Sequence, residues 1–345
     1  MFMTAVHFLN QSHKLQLFSI HSHKFFAFFS PLFSEMKIIS FCTFRTPAQM
    51  KNNSHLKTDL SLFAIAFVWA LNFTVVKASL SEFDPYTFNS IRFILAAAFL
   101  WIVIAKNDAW FSIRRSDWKW LLPLGLLGNL LYQWLFIIGI NFTFAANAAV
   151  MLGTIPIWVA LFSHLLNMEK MNRLKTLGII FAFSGVVLIV IFGKNPISFS
   201  SETFLGDMLI IAAAMVFGLF TVLSKQFLTR YTPLQFSAVM TAIGAFSLTF
   251  IAIPFIPATD WGSISAGAWG GALYSGLLSI GLAYLIWNNG ILKVGAVKTA
   301  TYQNLVPVLG LLFGIIILGE TLEWLQYAGS AIVIAGILLT RYGKL

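Results

Sequence analysis

From Asp59 onward the chain is written twice. At an offset of 151 residues, Gly139 meets Gly290, Ala145 meets Ala296, Ala149 meets Ala300 and Pro156 meets Pro307. Glu169 meets Glu320, Gly178 meets Gly329 and Gly185 meets Gly336 at the same offset. Upstream the offset is 148: Asp59 meets Asp207, Lys77 meets Lys225, Pro85 meets Pro233 and Phe88 meets Phe236. One short loop insertion accounts for the change. A period this long is a duplicated domain, not a solenoid.

What each copy can be is set by hydropathy. The chain is 59% hydrophobic and 10% charged, against roughly 25% charge in soluble domains, too little to cover a water-facing surface. Ten apolar runs follow Asp59, at about 59–78, 86–105, 118–138, 145–166, 174–192, 207–228, 233–254, 268–289, 297–318 and 322–341. Each approaches the roughly 20 residues a bilayer helix needs. The runs are continuous, not alternating, which predicts helices and not a barrel. The expected class is all-α integral membrane, with repeats at 59–192 and 207–341 joined by a linker at 193–206. Residues 1–58 differ, with five of the six histidines and a short aromatic run, Phe25–Phe33, broken by Ser30 and Pro31. They read as a disordered extension or a mis-called start, with translation beginning at Met50.

Charge sets orientation. Fifteen Lys and Arg fall on one side of the ten runs, and Lys77 and Lys194 on the other. By the positive-inside rule both ends are cytoplasmic in a multi-pass plasma-membrane protein. This distribution also accounts for the net charge of +10 without a nucleic-acid partner. Five runs per copy is odd, so the second copy is inserted upside down. Inverted repeats characterise secondary transporters, whose cargo sits near the midplane between the halves.

The candidate residues are polar or aromatic groups at that depth, where lipid satisfies no hydrogen bond. Arg92 is a cation inside the second run, suited to an anionic group of a cargo; snorkelling to the far surface is the plainer alternative. Trp69 and Asn72 share a face of the first run, and Tyr132 and Gln133 lie together on the third with Phe136. Tyr284, Trp287 and Asn288 lie on the eighth, Tyr284 matching Gln133 and Trp287 matching Phe136. Gln303 and Asn304 precede Pro307. Each is read as cavity lining or as interhelical glue. Pro156 and Pro307 remove a helical N–H at matching positions and predict a pair of kinked helices flanking the pathway. Gly310 and Gly314 form a GxxxG, whose default meaning is tight helix contact. His164 reads as packing. Asp59, Asp207, Glu169 and Glu320 fall at run ends, so no proton-relay carboxylate is visible. Cys42 is the single cysteine and excludes an internal disulfide. No P-loop, HExxH or GxSxG motif occurs, and no metal, cofactor or catalytic cluster is expected.

The set Trp69…Lys77, Pro85 with Arg92-Phe93, Pro156…Glu169…Gly178…Gly185 and Pro307…Gly319-Glu320…Gly329…Gly336 resembles the EamA branch of the drug/metabolite transporter superfamily. The resemblance covers about residues 59–341. It implies a ten-helix carrier with a cavity between its halves, in a family where many members export amino acids and related metabolites. Copy two departs from the pattern: Met240 stands for Arg92 and Phe217 for Trp69. The expected function is a secondary carrier, an exporter of a small amphipathic metabolite by alternating access, as monomer or homodimer. A phosphate-bearing cargo would want more cavity cations than Arg92 and Lys77. The alternative class is a membrane-embedded enzyme on lipid or isoprenoid substrates.

Overall fold

A computed structural model describes residues 54–143, 145–192, 203–318 and 323–342. The N-terminal extension before Ser54, most of the linker, and Glu320 lie outside the described residues. Every regular element among those described is helical. We label the crossings α1 (Ser54–Ser79), α2 (Pro85–Lys106), α3 (Arg115–Phe142), α4a (Ala145–Leu152), α4b (Ile155–Leu165) and α5 (Arg173–Ile191). The second copy runs α6 (Phe204–Phe227), α7 (Pro233–Ala252), α8 (Ala266–Val294), α9a (Ala296–Thr301), α9b (Leu305–Leu318) and α10 (Trp324–Tyr342). Nine helices among the described residues are long and apolar enough to cross a membrane. The remaining crossing, α9, is divided at Tyr302–Asn304 by a single tighter turn.

The two copies are inverted, and their packing shows it directly. α5 lies along α10 and α2 along α7; α1 packs on α8 as α6 packs on α3. Each contact has its mate when the copies are exchanged. In the α5–α10 seam, a Cβ on Gly178 would lie 2.7 Å from the carbonyl oxygen of Gly336, and one on Gly185 2.6 Å from that of Gly329. Gly178 is the repeat mate of Gly329, and Gly185 of Gly336, so the seam maps onto itself with its helices antiparallel. A self-complementary contact of this kind defines a two-fold axis, here across the helices and therefore in the membrane plane. Backbones approach this closely only where both sides lack side chains. Gly310 behaves differently: among the described residues nothing lies within 4 Å of where its Cβ would be, so this half of the GxxxG makes no tight contact with them.

Local chemistry is duplicated with the fold. Asp84 caps α2, its Oδ1 accepting from the Tyr86 and Thr87 amides at 3.0 Å each. At the matching place Thr232 and Gln235 form a reciprocal capping box on α7, and proline follows the cap in both. α1 begins and α10 ends on the same face, which we call the near face. There Arg341 Nε donates to Asp59 Oδ1 at 2.8 Å and Nη2 donates to Oδ2 at 3.2 Å. Also on this face, Asp117 accepts from Arg230 at 2.9 Å and from the Tyr231 hydroxyl at 2.8 Å. Burial first, and then that bond, raise the Tyr231 hydroxyl above its ordinary pKa.

Two features have no plain signature in the runs. α3 and α8 both widen to i→i+5 turns midway, at Leu126–Leu131 and Tyr274–Leu282. α4 and α9 are interrupted outright, at Gly153–Thr154 and at Tyr302–Asn304. Pro156 and Pro307 sit just past these breaks, in the first turn of α4b and α9b, where a missing N–H leaves no gap in the ladder. At the first break the Met151 carbonyl accepts from the Thr154 amide at 3.1 Å and from the Thr154 hydroxyl at 2.6 Å.

Candidate functional site

The duplicated helices bring matching residues face to face. Gln133 and Tyr284 are repeat mates, and Gln133 Nε2 donates to the Tyr284 hydroxyl at 2.8 Å, a bond between copies close to the two-fold axis. Around it lies an aromatic group. Trp69 and Trp287 stand 5.2 Å apart between ring centres. Phe217 lies 4.7 Å from Tyr132, 5.6 Å from Trp287 and 6.4 Å from Tyr284. Phe217, which the repeat aligns with Trp69, is thus at the centre of the group.

The wide turns of α3 and α8 explain part of this arrangement. An i→i+5 turn leaves carbonyls outside the regular ladder, and the Trp69 indole N–H donates to the Ser279 carbonyl in the widened stretch of α8 at 3.0 Å. Ser275, in the same stretch, donates to Asn72 Oδ1 at 2.7 Å, and the Tyr274 hydroxyl donates to the Val68 carbonyl at 2.8 Å. α1 is therefore fastened to α8 by polar bonds as well as by packing.

Arg92 is 1% exposed. Its Nη1 donates to Asn89 Oδ1 at 3.3 Å, and its guanidinium carbon stands 5.4 Å from the Phe88 ring centre. The phenols of Tyr284 and Tyr132 lie within electrostatic reach. Its Nε has no hydrogen-bond partner among the described residues. Asn288 Nδ2 donates to the Ser237 hydroxyl at 2.8 Å, and the Trp287 indole N–H donates to Thr221 at 3.4 Å.

Several polar atoms here are buried and have no partner among the described residues. They are Arg92 Nε, Gln133 Oε1, Asn288 Oδ1, Gln303 Oε1 and both amide atoms of Asn304. Asn304 is fully enclosed, at 0% exposure. Asn129 Oδ1 and Asn289 Nδ2 join them. These two, with Asn89, Ser237 and Thr221, are missing from the sequence-derived set. The signal for Asn89 and Ser237 was available, since they are repeat mates, and Asn289 adjoins Asn288. The amides of α8 and α9 belong to copy two alone: Asn288, Asn289, Gln303 and Asn304 align with Ile137, Ile138, Leu152 and Gly153. The duplication holds the frame symmetric while its polar groups differ between the copies.

Among the described residues no group of three His, Cys, Asp or Glu is placed to hold a metal ion. His164 is exposed on α4b.

Known proteins share this pattern. A sequence profile described as the EamA-like transporter family matches residues 56–191 and again 204–342. An uncharacterized transporter of Archaeoglobus fulgidus is 31% identical over 288 residues, covering 82% of this chain and 97% of its own. The uncharacterized transporter YyaM of Bacillus subtilis is 28% identical over 288 residues, covering 82% of this chain and 93% of its own. A solved crystal structure superposes with a TM-score of 0.69 at 17% identity, over 83% of this chain and 96% of that one, which supports the fold. With both copies matched by one profile, and close to the full length of these relatives covered, this chain belongs to the EamA-like transporter family.

Proposed function

We propose that the protein is a secondary carrier that exports a small amphipathic metabolite bearing an anionic group, such as an amino acid, across the plasma membrane by alternating access. The observation that supports this reading is the set of unpaired polar atoms at mid-membrane depth between the copies. Polar groups withdrawn from water without a partner cost about 1–3 kcal/mol each by protein measurements. Polar groups at this depth face the bundle interior or a water-filled cavity and mark substrate pathways. Arg92 supplies the positive charge for an acid group, the amides of Asn288, Gln303 and Asn304 supply donors and acceptors, and Trp69, Phe217 and Trp287 supply apolar walls. The charge distribution between the two faces supports cytoplasmic ends.

The test is flux in proteoliposomes loaded with a panel of amino acids and related acids. Uptake or release of at least one solute is expected, and Arg92→Gln is expected to reduce flux of acidic or zwitterionic solutes at least tenfold, the equivalent of about 1.4 kcal/mol. Absence of flux for every solute tested, with correctly folded protein, would refute the reading.

A further inference from the structure

Asp59, Asp117 and Glu169 of copy one each reach copy two at the near face, and Glu169 is the one that lies between α4b and α9a. Glu169 follows α4b, and its Oε1 accepts from Lys225 Nζ at 2.9 Å and from the Ala296 amide at 2.7 Å. Lys225 lies at the end of α6 and Ala296 opens α9a, so an acid of copy one grips two elements of copy two. Gly295, between α8 and α9a, has φ +91, and a Cβ there would stand 2.6 Å from Glu169 Oε1. Glycine is required twice, for the backbone conformation and for room beside the carboxylate. The Glu169 side chain is 9% exposed and that of Lys225 34%. A recess of about 370 Å³ opens at this place, lined by Glu169, Lys170, Lys175, Lys225 and Gly295.

A second observation concerns the broken crossings. α4b and α9a meet near this face; α4a and α9b are their mates at the far face. Among the described residues the near-face pair packs together more extensively than its mate. In a molecule of two inverted copies, that asymmetry distinguishes a closed face from a looser one.

We propose that Glu169 is the gate residue of the near face. Its carboxylate holds α4b against α9a and closes the passage there, and its release from Lys225 and Ala296 lets the two broken crossings part. This rests on the carrier reading and deepens it by naming where one side closes.

The test reads accessibility and needs no cargo. In reconstituted full-length protein carrying Cys42→Ser and Gln303→Cys, a membrane-impermeant thiosulfonate is added at the near face. Labelling is expected to be slow with Glu169 present. Glu169→Ala removes two charge-assisted bonds and is expected to speed labelling by roughly tenfold or more. Glu169→Gln, which keeps an acceptor for Ala296, and Lys225→Met, which keeps the acid, are expected to fall between. Asp117→Asn, at a different near-face tie, serves as a control with no change. If Glu169→Ala folds and labels at the parental rate, the gate assignment is overturned, whatever happens to flux. If Glu169→Ala fails to fold, unchanged labelling in Glu169→Gln and Lys225→Met overturns it equally. Faster labelling, together with no flux for any solute in the parent that keeps Gln303, would sustain the gate and count against the assigned cargo.

Discussion

Gln133 and Tyr284 show how a repeat becomes a contact. The offset aligns them, but alignment alone does not say that mates touch; only residues beside the symmetry axis do. Tyr284→Phe leaves the Gln133 amide with one partner fewer in a buried place, and Gln133→Leu does the same to the phenol. The double variant removes both groups, and the cycle is expected to return a coupling of about 0.6–1.7 kcal/mol, the range for hydrogen bonds between membrane helices. Unfolding in detergent micelles measures it; additive single effects would mean that the bond contributes nothing. Asn304 supports the opposite kind of prediction. Both of its amide atoms are buried without partners, so Asn304→Leu is expected to raise stability, by about 1–3 kcal/mol, while lowering transport. A variant that loses stability and keeps full flux would show that Asn304 is structural.

At the scale of elements, close approach and helix breaks decide the geometry. A Cβ on Gly336 would stand 2.4 Å from the Ala182 amide nitrogen and 2.6 Å from the Gly178 carbonyl oxygen. Backbone cannot move aside as a side-chain tip can, so Gly336→Ala is expected to destabilise by about 1–3 kcal/mol. Gly310→Ala, facing open space, is expected to stay within about 0.5 kcal/mol of the parent. Thermal unfolding of the two variants side by side checks both. Hydropathy has no means of separating these glycines, because their surroundings come from other helices. The breaks were only partly legible. Pro156 and Pro307 lie next to the breaks, yet the chain leaves the helix before each proline; Pro123 precedes the widened turn of α3, while that of α8 has no proline. Such turns depend on what packs beside them, Trp69, Asn72 and Val68 of α1 for the one in α8.

For the whole molecule, the orientation argument yields a test of its own. In the Cys42→Ser background, single cysteines at Lys170 or Lys293 are expected to react with an impermeant thiol reagent only from the cytoplasmic side, and cysteines at Ser81 or Gly262 only from outside. Labelling of both sets from one side would break the ten-crossing count. That count, the duplication and the inversion of the copies were all determined by sequence, because each follows from hydropathy, repeat offsets and the parity of five, quantities local to the chain. Which polar groups meet at the axis, which are left unpaired among the described residues, and which elements Glu169 joins were decided by tertiary structure alone. Those properties belong to pairs of residues tens to hundreds of positions apart, and packing, not periodicity, brings them together.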